Sequence, residues 1–302
     1  MFEIVIMADC PETPIGSQCD EPYECALNGF CRANLPEHNV FTLYYGGKKA
    51  CELYNLGITE IAEIPPIFQL NEKQQIQRSC IVNNNTHLDR ERIQLFLGQL
   101  QYPLYFLDFE TFNTVIPLFD GTHPYQNIPF QFSLHIKETP ESGLRHISFL
   151  AKGKNDPRPD LLDSLSRNIG DSGSIVAYNK QFEEKVLKDL SIAFPEYADR
   201  INSMLPRFID LLVPFRAFAY YNPSQKGSAS LKKVLPAVTG MDYMGLEIGK
   251  GDDASLAYLD MTYGDLSDEE CLTIREQLLA YCGLDTEGMV RIIEKLEEIT
   301  NK

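Results

Sequence analysis

Beyond Tyr102-Pro103 the chain turns strongly apolar. The segment LYFLDFET sets Tyr105, Phe106 and Leu107 side by side, the pattern of a buried strand. IPFQFSLHI and LRHISFLA read as two more strands, and Pro- and Gly-bearing stretches separate the three as in a meander. Leu161–Ile169 reads as a helix, SIVAYN as a further strand and KQFEEKVLKDL as the helix after it. FIDLLVPF is another short apolar segment, and residues 228–238 and 270–300 read as helices. Consecutive strands followed by alternating strands and helices predict a mixed α/β or α+β sheet domain with flanking helices over residues 101–302.

Residues 1–100 have a different texture. Their first 31 positions are rich in Pro, Gly, Asn and Asp and poor in apolar side chains, so a hydrophobic core does not hold them. Residues 46–65 predict a short helix, a turn at Gly57 and a second short helix. Residues 70–100 are polar, with an amphipathic stretch at Leu88–Leu100. The expectation is a small, irregular, Cys-rich and partly helical region before the sheet domain.

Charge narrows the choice of function. Against 27 Lys and Arg stand 43 Asp and Glu, a net charge of −16 over 302 residues. Such a field repels nucleic acid and anionic membrane, so a nucleic-acid enzyme of this composition needs a local basic strip or bound metal. No apolar run approaches the roughly 20 residues that cross a bilayer. The first ten residues carry an acid where a signal peptide needs a base. A cytoplasmic protein without a membrane partner is expected. No Gly-x-Ser-x-Gly elbow and no P-loop pattern occurs.

The candidate chemistry is acidic. Asp-x-Glu recurs in the chain, but only Asp108/Glu110 sits in a run apolar enough for a central strand. Positions two apart on a strand share a face, so both carboxylates emerge together. Buried together, they are costly unless a cation neutralises them, and hard divalent cations take oxygen ligands. Glu183 follows a strand, near the start of a helix running from Lys180 with Asn179 as its cap. Glu184 and Lys188, four apart, mark that helix's outer face, while Glu183 aligns with Val186, Leu187 and Leu190 inside. Asp285 falls on one stripe with Leu278, Met289 and Leu296, and Tyr281 borders it one turn earlier. Asp210, apolar on both sides, is a supporting acid or a rival ligand. Structural alternatives stand beside these: a solvated strand end for Asp108 and Glu110, the helix dipole for Glu183, a buried salt bridge for Asp285. Acids from a strand, a helix start and a late helix suit hydrolysis of phosphodiesters by two Mg²⁺ or Mn²⁺ ions.

LDFET, YNKQFE and YCGLD resemble the three exonuclease motifs of the DEDD superfamily, DnaQ-like nucleases of RNase H-like fold, in its tyrosine subtype. From Tyr105 to about Ile292 the chain is similar to a bacterial family of uncharacterised DEDD-type domains, through LDFETF, HPYQNIPFQFSLHI, AYNKQFE, IDLLVPF, GSASLKKVLP and YCGLDT. The resemblance implies that Asp108, Glu110, Glu183 and Asp285 bind metal and that Tyr281 orients the attacking water. Most of the superfamily has Asp where Glu183 stands, which leaves Asp210 as the other claimant. Ser228, Ser230, Lys232 and Lys233 fit a capped helix start facing phosphate, or an ordinary helix with exposed lysines. Phe218, Tyr220 and Tyr221 are either core or a platform for stacking bases.

Four of the eight cysteines, Cys10, Cys19, Cys25 and Cys31, fall within the first 31 residues, a clustering that suggests metal in a reducing compartment. Their spacing is not that of common zinc ribbons. It resembles the iron–sulfur tail of RecB-like nucleases, implying a [4Fe-4S] cluster first and Zn²⁺ second. Cys51, Cys80, Cys271 and Cys282 are expected mostly as small buried hydrophobes. Residues 46–65 resemble a helix-hairpin-helix-like unit, in which Lys48, Lys49 and the Gly57-Ile58 turn would touch nucleic acid; the other reading is a packing hairpin. The expected activity is 3′–5′ exonuclease action on DNA or RNA. The alternatives are a binding module with a decayed site and a subunit that acts with a helicase or second nuclease.

Overall fold

The computed structural model describes residues 14–249 and 251–301. The chain divides into two compact units, one running to His87 and taking in Tyr221–Ser228, the other holding Leu88–Tyr220 and the chain from Ala229 onward.

In the first unit, helices α1 (Gly47–Asn55) and α2 (Glu72–Asn83) accompany a small core of Val40, Leu43, Leu53, Ile61 and Ile64. Asn71 and Gln74 form a capping box at the start of α2. Buried Gln77 on α2 accepts from Tyr44 N at 2.7 Å and donates to Thr42 O at 2.8 Å. The expected turn at Gly57 is present, with φ +80. The expected second helix is only a 3-10 turn, Ile61–Glu63. Pro65 and Pro66 follow, and a residue before proline is pushed out of the helical region; Ile64 accordingly has ψ 117.

The second unit begins with α3 (Arg90–Leu97), capped by Asp89, whose carboxylate accepts from Arg92 N at 3.0 Å. This is the amphipathic stretch expected before residue 100. Its Ile93 and Phe96 are buried in the core of the sheet unit, so the unit boundary falls at residue 88.

The sheet has five strands: β1 (Leu104–Phe112), β2 (Ile128–Lys137), β3 (Leu144–Leu150), β4 (Ser174–Ala177) and β5 (Phe208–Asp210). Their order is β3-β2-β1-β4-β5. The expected meander is antiparallel, and β4 and β5 add in parallel. A chain returning in parallel needs a crossover. Helix α4 (Arg158–Asn168) precedes β4, while α5 (Gln181–Ala193) and α6 (Ala198–Met204) lie between β4 and β5.

Alternation along β1 sorts its side chains. Tyr105, Leu107 and Phe109 pack with Leu161 and Leu165 of α4 and with Val186, Leu187 and Leu190 of α5. Leu104 and Phe106 pack instead with Val234 and Leu235 of α7 (Leu231–Thr239) and with Met289, Ile293 and Leu296 of α9 (Asp268–Asn301). Asp108 and Glu110 continue this second face.

Helix α8 (Gly251–Tyr263) has no counterpart in the sequence reading. It buries Ala254 and Tyr258, and the Tyr258 ring stacks on Phe130 of β2 at 4.0 Å. Among the described residues no helix is long and apolar enough to cross a membrane.

Candidate active site

The parallel strands β1 and β4 end on the same side of the sheet, and a cleft of about 430 Å³ opens there. Crevices at the carboxyl ends of such strands are where open α/β sheets place ligands. Asp108, Glu110, Glu183, Tyr281 and Asp285 all line this cleft. The structure therefore brings together the five residues that the motifs single out.

Local structure explains each position. Asp108 and Glu110 pair across the ladder with Ser133 and Gln131, both fully buried, on the face toward α9. A register shift between Glu110 and Thr111 breaks the ladder just beyond the acids. Glu183 is 2% exposed and shares the inner face of α5 with Val186, Leu187 and Leu190. Glu184 bridges to Lys188 at 3.2 Å outside, as the four-residue spacing predicts. On α9, Leu278, Tyr281, Asp285, Met289 and Leu296 are all buried, as the stripe requires.

The acids meet few partners. Asp285 accepts from the Tyr243 hydroxyl at 2.5 Å. Glu183 Oε2 is buried with no hydrogen-bond partner. Lys232 supplies a nearby positive charge: its Nζ lies 5.1 Å from the Tyr281 ring and donates to Gly249 O. Burial pushes the Asp108 carboxyl well above the usual range, and Asp285 adds to it. Glu110 is raised by burial and then by Asp108 and Asp285. Glu183 is raised by burial and then by Asp108. Burial raises Asp285 to about 6, opposed by the Tyr243 hydrogen bond and Lys232. Four carboxylates facing one cleft carry more like charge than a buried site tolerates unneutralised. With one carboxylate oxygen left orphaned, they fit divalent cations, which take oxygen donors.

Other expected residues lie elsewhere. Asp210 does not line the cleft: its Oδ1 accepts from Asn179 N at 2.9 Å and Leu212 N at 3.0 Å, which commits it to backbone. Those bonds hold Asn179 with φ +68, so Asn179 precedes α5 in a left-handed turn, and Lys180 is the capping residue. Ser230 stands at the cap of α7 and Lys233 is exposed, but neither lines the cleft. Ser228 belongs to the first unit, where its amide donates to Gln225 O. Of the four residues expected to contact substrate, Lys232 places its side chain beside a cleft residue, over the Tyr281 ring. Phe218, Tyr220 and Tyr221 are buried core rather than a stacking platform.

In the tail, Cys10 lies outside the described residues. Cys19, Cys25 and Cys31 are not gathered within ligand distance as a single Zn²⁺ would require. Lys49 is engaged locally, donating to Gln69 O at 2.5 Å.

Two contributors escape the sequence reading. Tyr243 comes from the loop after α7. Cys282, expected as filler, sits with its Sγ 3.5 Å from Asp108 Oδ2. Its spacing from Asp285, three residues on one helix, was the available signal.

Comparisons with known proteins find similarity to sequences without a described activity. Residues 105–230 match the family described as Domain of unknown function (DUF2779). An uncharacterized protein of Mycoplasma genitalium, MG366, is 26% identical over 220 residues, covering 65% of this chain and 32% of the relative. Its Mycoplasma pneumoniae homolog is 27% identical over 210 residues, covering 62% of this chain and 31% of the relative. The chain thus spans about a third of the length of the curated relatives it matches. No solved structure gives a significant match.

Proposed function

We propose that this chain is a metal-dependent nuclease, a 3′–5′ exonuclease hydrolysing phosphodiester bonds of DNA or RNA, built on an RNase H-like sheet. One observation carries the reading: Asp108, Glu110, Glu183 and Asp285, from a strand, a helix start and a late helix, line a single cleft with Tyr281. The sheet order, three antiparallel strands continued by two parallel ones, is compatible with the fold that the motifs imply.

Asp108, Glu110, Glu183 and Asp285 would hold two Mg²⁺ or Mn²⁺ ions. Bound there, the ions supply a more acidic water and neutralise charge developing on the leaving oxygen. The protein's own groups do the rest. The Tyr281 hydroxyl is held well above its ordinary pKa by burial and by Asp285, so it stays protonated and acts as a hydrogen-bond donor orienting water. Tyr243 fixes one oxygen of Asp285, leaving the other directed to a ligand. Asn113 and Asn127, 3.3 Å apart, present carboxamides at the cleft to a sugar or base. In the tail, Cys10, Cys19, Cys25 and Cys31 would be the ligands of a [4Fe-4S] cluster, which iron and sulfide analysis of anaerobically purified protein checks.

The test is cleavage of 5′-labelled single-stranded DNA and RNA in Mn²⁺ by wild type and Asp108→Ala. A ladder of shortening products that the variant cannot make supports the reading. Binding without turnover by wild type replaces it with a binding module or a subunit needing a partner.

A further inference from the structure

Behind the cleft, beside two of its acids, Cys282 offers a donor that an all-oxygen metal site does not use. Asp108 and Glu110, two apart, share a strand face, while Cys282 and Asp285, three apart, share a helix face. One ligand atom each from Asp108, Glu110 and Cys282 lie within 4.8 Å of one another. This is the only such trio of acids, histidines or cysteines among the described residues. Cys282 is completely buried, and its Sγ also lies 3.9 Å from Asp108 O. A second observation favours an ion in the cleft: Glu183 Oε2, buried and unpartnered, belongs to a side chain that lines it with Asp108 and Glu110.

Ligand chemistry decides which ion. Mg²⁺ selects oxygen and gains nothing from sulfur, whereas a thiolate selects softer or borderline cations such as Zn²⁺. A cysteine kept only to fill space has no need to face two carboxylates.

We propose that Asp108, Glu110 and the Cys282 thiolate form a mixed oxygen–sulfur site for a thiophilic divalent cation of the zinc type. The inference rests on the metal reading of the cleft, but not on the nuclease reading. On binding, the Cys282 S–H bond is exchanged for a sulfur–metal bond, and the proton leaves to solvent. Without an ion the thiol donates to Asp108, as the geometry shows.

The test is a Co²⁺ titration of the metal-free full chain, followed in the near-ultraviolet, where a cobalt–thiolate bond gives a charge-transfer band. Cys282→Ser, Cys282→Ala and Asp108→Asn are compared with wild type, with near-ultraviolet circular dichroism confirming the fold. Cysteines of the tail add their own absorbance, so the decisive quantity is the component that the Cys282 variants and Asp108→Asn remove in common. The expected result is such a shared component, with Zn²⁺ affinity falling by about 100-fold or more in Cys282→Ser and Mg²⁺ affinity unchanged. If the Cys282 variants leave both the band and Zn²⁺ affinity intact, the proposal is overturned and Cys282 only positions Asp108. An oxygen-only cobalt spectrum that Asp108→Asn abolishes also overturns it but keeps the metal cleft. The shared band in a chain that cleaves nothing upholds it and rejects the nuclease.

Discussion

Asp285→Asn should make the metal-free protein more stable while weakening the proposed metal binding. Asp285 is 7% exposed, and burial lifts its pKa from 3.8 to about 6. Between those values the folded protein holds a proton that the unfolded chain has lost, so stability falls as pH rises, and the penalty is complete above about 6. Two pKa units correspond to about 3 kcal/mol near pH 7.5, fading to about 1 kcal/mol near pH 4.5. Asparagine keeps an oxygen to accept from Tyr243, so the 2.5 Å bond survives without the charge. Urea unfolding in EDTA should therefore give the variant a stability gain of about that size at neutral pH and a smaller gain in acid. Mn²⁺ should reverse the order, because an ion at about 1,000 times its Kd adds about 4.1 kcal/mol to whichever protein binds it. Equal stability of the two proteins in EDTA at pH 7.5, with no response to Mn²⁺, would refute the claim that Asp285 is a strained acid awaiting a cation.

The stacked pair His135 and His146 sets a second pH dependence. Burial, with His146 beside it, lowers His135 to about 4, so the unfolded chain binds a proton first as pH falls below about 6.5. Wild type should lose about 3 kcal/mol relative to His135→Gln between pH 7 and 4, and parallel urea titrations would show a flat difference if the shift is absent. Asp210→Ala strands the amides of Asn179 and Leu212, which should cost about 2 kcal/mol. It should also slow cleavage by displacing Asn179, whereas unchanged stability would return Asp210 to the list of ligands.

The acids were legible where sequence periodicity meets one element. Asp108 and Glu110 could be placed because strand alternation is strict, and Asp285 because Leu278, Tyr281, Met289 and Leu296 repeat with the helix. Glu183 could be placed because Glu184 pairs outward with Lys188. What stayed hidden depends on tertiary approach. Helix α8 carries the apolar positions Ala254, Ala257, Tyr258 and Met261 on one face, but Ala is a weak marker and the exposed Leu256 blurs the stripe. Tyr243 reaches Asp285 across 42 residues of sequence. Cys282 looks like any small buried residue until the sheet brings Asp108 to it. Asp210 shows the converse limit: apolar neighbours on both sides suggest an inward acid, but they cannot say whether its carboxylate serves a cleft or, as here, the backbone amides of a turn.

Calorimetric titration of the metal-free chain with Mn²⁺, in two buffers of different ionisation enthalpy, tests the central claim most directly. If the four cleft acids are a cation site, two ions bind per chain, protons are released as raised carboxyls ionise, and Asp108→Asn abolishes both. A wild-type chain that binds no Mn²⁺ in the cleft, or binds it identically in Asp108→Asn, would contradict the account.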